Sequence, residues 1–179
     1  MPKISIIVAA YNVEEYLQQC LNSLSNQTFS DFEAIIVNDA STDATAEILR
    51  RSAEKDPRII PVTHPHNQGL HLTRKTGVEH ASDEYAFFLD GDDDLAPETC
   101  AQLAEEINQH PVDILHFGIS VIGENGILDD ECKAFEAFNN IQTKNCTGSD
   151  IVRNIYAEAN GQQVDWRVTQ RLFKTSLLK

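Results

Sequence analysis

Tyr85-Ala86-Phe87-Phe88-Leu89-Asp90-Gly91-Asp92-Asp93-Asp94 carries an apolar run straight into a turn that holds four carboxylates. The run reads as a buried strand and the turn as a site at its end, because open α/β sheets bind ligands at the carboxyl ends of their strands. Two carboxylates about 4 Å apart repel by roughly 4 kcal/mol at an effective dielectric of about 20. Such a cluster calls for water, protons or a cation. A hard divalent ion, Mg²⁺ or Mn²⁺, answers that need when it is held by one or two carboxylates and completed by the phosphate oxygens of a ligand. The plainer alternative is a solvated acidic turn; the strand that feeds it favours a metal-diphosphate site.

Outward from that segment, short apolar runs alternate with helical periodicity, the pattern of a largely parallel sheet covered on both faces. Ile4 to Ala10 is a nearly continuous apolar strand, and Asn12 is placed to cap a helix whose buried face is Leu17, Cys20, Leu21 and Leu24. Phe32 to Val37 predicts a second strand. The capping-rich turn Asp39-Ala40-Ser41-Thr42-Asp43 then leads into a helix that carries Ala46, Ile48 and Leu49 to about Lys55. Ile59 to Val62, interrupted by Pro61, predicts a short edge strand, and Gly69 opens a helix to about His80. After the acidic turn, Pro97 stands where a helix N1 proline belongs, ahead of Cys100, Leu103, Ala104 and Ile107, and Ile114 to Ile122 predicts a further strand. Parallel connections place the loops after the first, second and fourth strands on one carboxyl edge. From Gly123 to Asn145 the pattern weakens into an irregular loop or a β excursion. Helical spacing returns at Ile151, Val152 and Ile155 and again from Trp166 to Leu178, where the chain reads as cut rather than finished.

With 179 residues, 41% of them hydrophobic, the chain is expected to form one domain with a sizeable core. A formal charge of -14 argues against nucleic acid or an anionic membrane as a non-specific partner, since either needs a basic face. An anionic ligand must then be held locally, by helix N-termini, a metal or a few basic side chains. Cys20, Cys100, Cys132 and Cys146 lack the close pairing of a zinc or redox motif and read as reduced, mostly buried thiols. Asn26-Gln27-Thr28 and Asn145-Cys146-Thr147 match the glycosylation sequon, but the start Met1-Pro2-Lys3-Ile4 has no signal-peptide architecture, so a cytoplasmic location is expected. No apolar run approaches the roughly 18 residues that span a bilayer. His64, His66 and His71 read as solvated loop residues rather than metal ligands.

Three loops now stand together: Ala9-Ala10-Tyr11-Asn12, Val37-Asn38-Asp39-Ala40-Ser41-Thr42-Asp43 and Asp90-Gly91-Asp92-Asp93, with Asn67-Gln68-Gly69 and Arg74 between the last two. Their order and spacing resemble family 2 glycosyltransferases of the GT-A fold, clearly over about Ile4 to Leu103. The resemblance implies a Rossmann-like, mostly parallel sheet flanked by helices, with residues 1–103 as the nucleotide-sugar-binding half and 104–179 as the start of the acceptor side of a single domain. It implies a nucleotide-sugar donor gripped by Ala9, Tyr11 against the base, and Asp39 accepting a hydrogen bond from a pyrimidine ring N–H. The family often has two acidic residues here; this chain has Asn38 before Asp39, so only Asp39 is carried over. Asp90 and Asp92 match the two aspartates of the DxD motif. Asp92 is then the direct ligand of Mn²⁺ or Mg²⁺, Asp90 lies near the ribose or the metal's water shell, and Asp93 is a further acidic position that could serve the metal. Arg74 matches a basic position near the diphosphate.

The implied reaction is an inverting transfer to a hydroxyl of a glycan or glycolipid, with UDP-sugars favoured as donors and a carboxylate as base. No convincing base is found: Asp129, Asp130, Glu131, Asp150 and Asp165 lie in weakly patterned sequence. The expectation is donor binding without completed transfer, with any peripheral association with the inner face of the membrane left to sequence beyond Lys179.

Two other classes compete. A non-catalytic nucleotide-sugar-binding or assembly module shares every donor-side feature and lacks only the base. A haloacid-dehalogenase-like phosphatase would put its Asp-x-Asp on the first strand and a Thr or Val where Asp94 stands. An EF-hand loop begun at Asp90 fails, with Leu95 at its sixth position and Ala101 at its twelfth.

Overall fold

The structure, a computed structural model, describes residues 3–117, 120–123, 126–130, 136–138, 169 and 171–179. Its frame is a seven-stranded sheet with the order β3-β2-β1-β4-β9-β5-β8. β1 (Ile4–Ala10), β2 (Phe32–Asn38), β3 (Ile59–Thr63) and β4 (Tyr85–Asp90) run parallel, joined by α1 (Leu17–Ser25), α2 (Thr45–Lys55) and α3 (Leu70–His80). β1 sits between β2 and β4 and is covered on both faces, so its seven residues are all buried, which is why the sequence there is apolar at every position but Ser5, whose Oγ donates to Glu33 Oε1 (2.7 Å). β3 is an outer strand, where Pro61 is tolerated for want of a ladder hydrogen bond to donate.

Strand alternation divides the core. Ile4, Ile6 and Val8 of β1, Ala34 and Ile36 of β2, and Tyr85, Phe87 and Leu89 of β4 pack against Leu17, Cys20, Leu21 and Leu24 of α1, Leu49 of α2 and the buried face of α4 (Thr99–Gln109). The intervening residues Ile7, Ile35, Val37, Ala86 and Phe88 form a smaller cluster with Val78 of α3 and with Ala81. α3 lies so close to the sheet that a Cβ on Gly77 would stand 2.2 Å from Ile7 Cγ2.

The later part of the chain departs from its expected elements. Ile114 to Ile122 is not one strand: β5 (Ile114–His116) joins the main sheet, and β6 (Ser120–Gly123) pairs in a separate hairpin with β7 (Gly126–Asp130), which lies in the stretch expected to hold a loop or β excursion. β8 (Glu136–Phe138) adds antiparallel to β5. The helix expected over Trp166 to Leu178 is, where described, β9 (Arg171–Lys174) and a 3₁₀ turn at Thr175–Leu177. β9 inserts antiparallel between β4 and β5, setting Leu172 against Phe87 and Phe173 against Ala86. It closes the free edge of β4, and four residues are too few for spacing to separate strand from helix. The helix expected around Ile151 to Ile155 lies outside the described residues.

Smaller corrections have local causes. α1 starts at Leu17 and its N-cap residue is Tyr16, not Asn12, which is drawn toward the β2–α2 loop instead. α4 begins two residues after Pro97, whose carbonyl accepts the Thr28 N–H (2.9 Å), while buried Gln27 accepts the Cys100 N–H (3.0 Å) through its side chain. Ala46 of α2 is exposed, and Thr45 takes the inward place beside Leu49. Cys20 and Cys100 are buried free thiols, and Cys132 and Cys146 lie outside the described residues. No helix among the described residues is long and apolar enough to cross a membrane.

Candidate functional site

Register brings the three loops to one edge. Ala9 pairs with Val37 on one side and with Asp90 on the other. Neighbouring strands are about 4.8 Å apart, so the loops after β2 and β4 stand roughly 10 Å from each other across the end of β1. Parity aims Asp90 toward the α3 face, with Ala86 and Phe88, and Asp39 continues the same parity beyond Ile35 and Val37. The ladder runs past the strand ends: Asp39 N–H donates to Ala10 O (2.9 Å) and Gly91 N–H to Ala9 O (3.0 Å). A Cβ on Gly91 would meet that same Ala9 oxygen at 3.0 Å, so the acidic turn lies flush on β1.

The β1 and β2 loops are zipped together by side chains. The Thr42 N–H donates to Asn12 Oδ1 (2.8 Å), the Asn12 N–H to Ser41 Oγ (3.0 Å) and the Val13 N–H to Thr45 Oγ1 (3.1 Å). Glu14 and Asp43 exchange bonds: Glu14 N–H donates to Asp43 Oδ2, and Ala44 N–H to Glu14 Oε2. The turn is bought with backbone strain at Asn12 (φ 52°) and Ala40 (φ 57°), both in the left-handed region that disfavours a Cβ. Tyr11, at the tip of the first loop, is half exposed.

Asp39 is buried at 2% exposure, and its carboxylate is closely held. Oδ1 accepts the Gln68 N–H (2.8 Å) and lies 2.7 Å from His64 Nδ1; Oδ2 accepts the Gly69 N–H (2.8 Å). Burial works to raise the pKa of Asp39, but the hydrogen bonds from His64, Gln68 and Gly69 outweigh it and hold the carboxyl below its usual range. Gly69, at φ 83°, is the N-cap residue of α3 and takes a conformation that suits glycine. Arg74, one turn further along α3, places Nη2 2.7 Å from Asp90 Oδ1, with its guanidinium carbon 5.9 Å from the Phe88 ring centroid. Its Nε is buried and makes no hydrogen bond among the described residues.

Asp92, Asp93 and Asp94 are exposed, and Asp94 Oδ2 accepts from Gln19 Nε2 (2.9 Å). No three His, Cys, Asp or Glu side chains among the described residues gather closely enough to hold a metal by themselves. The donor set is nevertheless all carboxylate and open to solvent, which fits a hard cation that takes its remaining oxygens from a phosphate ligand. The field of this turn reaches the core: burial, and then the charges of Asp93, Asp94, Asp92 and Asp90, push the Cys20 thiol up to about 12. Cys20 is therefore an un-ionised packing residue.

A family profile described as glycosyl transferase family 2 matches residues 5–160. The chain belongs to that family. Among curated relatives of this family 2 chain, the uncharacterized glycosyltransferase EpsJ of Bacillus subtilis is 42% identical over 118 residues, which is 66% of this chain and 34% of EpsJ. The poly(ribitol-phosphate) beta-N-acetylglucosaminyltransferase TarS of Staphylococcus aureus is 32% identical over 129 residues, 71% of this chain and 22% of TarS. The solved TarS 1-349 in complex with UDP-GlcNAc superposes with a TM-score of 0.74 at 28% identity, over 98% of this chain and 46% of that one. A mannosyltransferase from Pyrobaculum calidifontis, solved with GDP-Man and Mn²⁺, has a TM-score of 0.58 at 26% identity, over 63% of this chain and 34% of its own. The chain thus spans about a third of EpsJ and about half of the solved TarS chain. The expected GT-A fold, a mostly parallel sheet flanked by helices, is the fold observed.

Of the residues named from sequence, Ala9, Tyr11, Asp39, Arg74, Asp90 and Asp92 come to one edge of the sheet. Asp129 and Asp130 lie on β7 in the separate hairpin, while Glu131, Asp150 and Asp165 lie outside the described residues. His66 and His71 are exposed as expected, but His64 is not: it is buried at 6% exposure against Asp39. The missed signal was parity, since His64 follows Val62, a residue packed on the α3-side cluster, by two.

Proposed function

We propose that this edge is the donor site of a metal-dependent, inverting glycosyltransferase that takes a UDP-sugar and glycosylates a hydroxyl of a glycan or glycolipid. The observation that carries the reading is the register of Ala9 between Val37 and Asp90, which supports it by bringing the loops that hold Asp39 and Asp90 about 10 Å apart along one edge. Tyr11 offers an exposed ring for the base to lie against. Asp39, kept ionised by its donors, accepts the ring N–H of uracil. Arg74 leaves its Asp90 pairing partly or wholly to meet the diphosphate, using donors that the described residues do not saturate.

Asp92, with Asp90 or Asp93, would hold Mn²⁺ or Mg²⁺. When bound, such an ion supplies charge neutralisation of the departing nucleoside diphosphate. Support for a UDP-sugar comes from TarS, solved with UDP-GlcNAc, and support for a divalent ion from the mannosyltransferase solved with Mn²⁺. No base is assigned among the described residues. The reaction would run in the cytoplasm, where such donors are made.

Thermal-shift measurement with Mn²⁺ present and UDP, GDP or dTDP added in turn tests the donor assignment. UDP is expected to raise the melting temperature most, because a ligand that binds only the folded state stabilises it by mass action. A larger shift with GDP would overturn the uridine assignment.

A further inference from the structure

His64 is a buried ring between two parts of the site. Its N–H donates to Asn38 O (2.9 Å), fixing it just past the end of β3 beside the end of β2. Nδ1 lies 2.7 Å from Asp39 Oδ1 and Nε2 lies 2.9 Å from Thr76 Oγ1. An ionised Asp39 has no proton to give, so Nδ1 carries the hydrogen of that bond, while Nε2 and the Thr76 hydroxyl share another. Thr76 stands on α3 two residues after Arg74. The ring therefore ties the Asp39 carboxylate to the helix that also presents Arg74 to Asp90.

We propose that His64 is a positioning residue for nucleobase selection, holding the Asp39 carboxylate in the one orientation in which it can read a ring N–H. His64 and the Gln68 N–H occupy Oδ1, which leaves Oδ2, with Gly69 N–H as its one donor among the described residues, to supply the remaining acceptor capacity. Uracil presents N3–H to such an oxygen, whereas cytosine presents a lone pair that a carboxylate repels. Preference for UDP over CDP then depends on a residue that touches neither. The inference rests on the donor-site reading above and adds to it the group that makes the site selective.

The test compares wild type, His64→Leu, His64→Gln and Thr76→Val by calorimetric titration of UDP and of CDP with Mn²⁺, together with amide hydrogen exchange at Gln68 and Gly69. The Leu ring-loss variant is expected to lose about tenfold of the UDP-over-CDP preference, the order of one buried hydrogen bond. His64→Gln, whose amide can donate to Asp39 and accept from Thr76, is expected to keep the preference within about threefold of wild type. A folded His64→Leu with undiminished preference, or a His64→Gln as unselective as His64→Leu, overturns the inference. Should His64→Leu fail to fold, Thr76→Val carries the comparison: a preference reduced by about threefold upholds the tie, and an unchanged one overturns it. If wild type binds neither nucleotide, the donor-site reading fails, and amide exchange decides the tie alone. Protection at Gln68 and Gly69 that is lost in His64→Leu and kept in His64→Gln supports it; protection equal in all variants overturns it.

Discussion

The two faces of the sheet are fastened differently. On one, α1, α2 and α4 bury a broad apolar cluster around Phe87, Ile6 and Leu21. On the other, α3 has a much smaller apolar contact with Ile7, Ile35 and Phe88. Near the carboxyl edge it is fixed by polar ties instead: Asp39 to the Gln68 and Gly69 N–H groups, His64 to Thr76 and Arg74 to Asp90. Apolar burial is non-directional and supplies stability, whereas these ties are directional and set where charges stand. The α1–α4 face should accordingly govern whether the chain folds, and the α3 face what it binds.

The sharpest break of that contrast is Phe87→Ala, which removes a fully buried ring and should cost about 3–5 kcal/mol in chemical denaturation. Nucleotide affinity of the protein that remains folded should change little. A smaller loss, about 1–3 kcal/mol, is expected for Gly77→Ala, because the added methyl collides with Ile7 and must push α3 off the sheet. Unlike Phe87→Ala, it should weaken nucleotide binding too, since α3 carries Arg74 and the Gly69 N–H.

Arg74→Ala tests the polar side alone. The pair with Asp90 is partly exposed, with side-chain exposures of 22% and 36%, so its loss should shift the melting temperature little. Loss of charge-assisted bonds to a diphosphate should weaken UDP binding by roughly 10- to 100-fold in calorimetry. An Arg74→Ala whose melting temperature falls sharply while its folded form still binds UDP normally would reverse the assignment of the two faces.

The smallest effects concern the loops themselves. Ala40→Gly relieves a φ of 57° and should stabilise the chain by up to about 1 kcal/mol, after the entropic cost of glycine. Asp39 supplies a pH test. Its folded pKa lies below the unfolded value of about 3.9, so it contributes stability that is full above that value and is lost as the pH falls through the folded pKa. Asp39→Asn should flatten the fall in stability on acidification below about pH 4. An unchanged slope would mean that the carboxylate is not tied as described.

Much of the fold was legible because residues 4–90 are locally explicit. β1 is apolar at all but Ser5 because it is covered on both faces, Pro61 marks an outer strand, and Gly69 sits where α3 begins at positive φ. The site loops could be found because chemistry and position coincide there: Asp90 follows an apolar strand, and Asp39 follows another. What escaped depends on contacts distant in sequence. β9 has four residues and is a strand because β4 and β5 lie on either side of it. Asn12 could have capped α1, but Thr42 and Ser41, thirty residues away, hold it elsewhere. His64 read as a solvated loop residue because nothing adjacent in sequence announces Asp39 or Thr76 as its partners.

The most direct test of the account is calorimetric titration of UDP into the wild-type chain and into Asp92→Ala, each with Mn²⁺ and again with chelator. The account predicts binding to wild type with Mn²⁺, weakened by about tenfold or more when either the ion or the Asp92 carboxylate is removed. Binding that is indifferent to both, or no binding to folded wild type under either condition, would contradict a metal-dependent donor site at this edge.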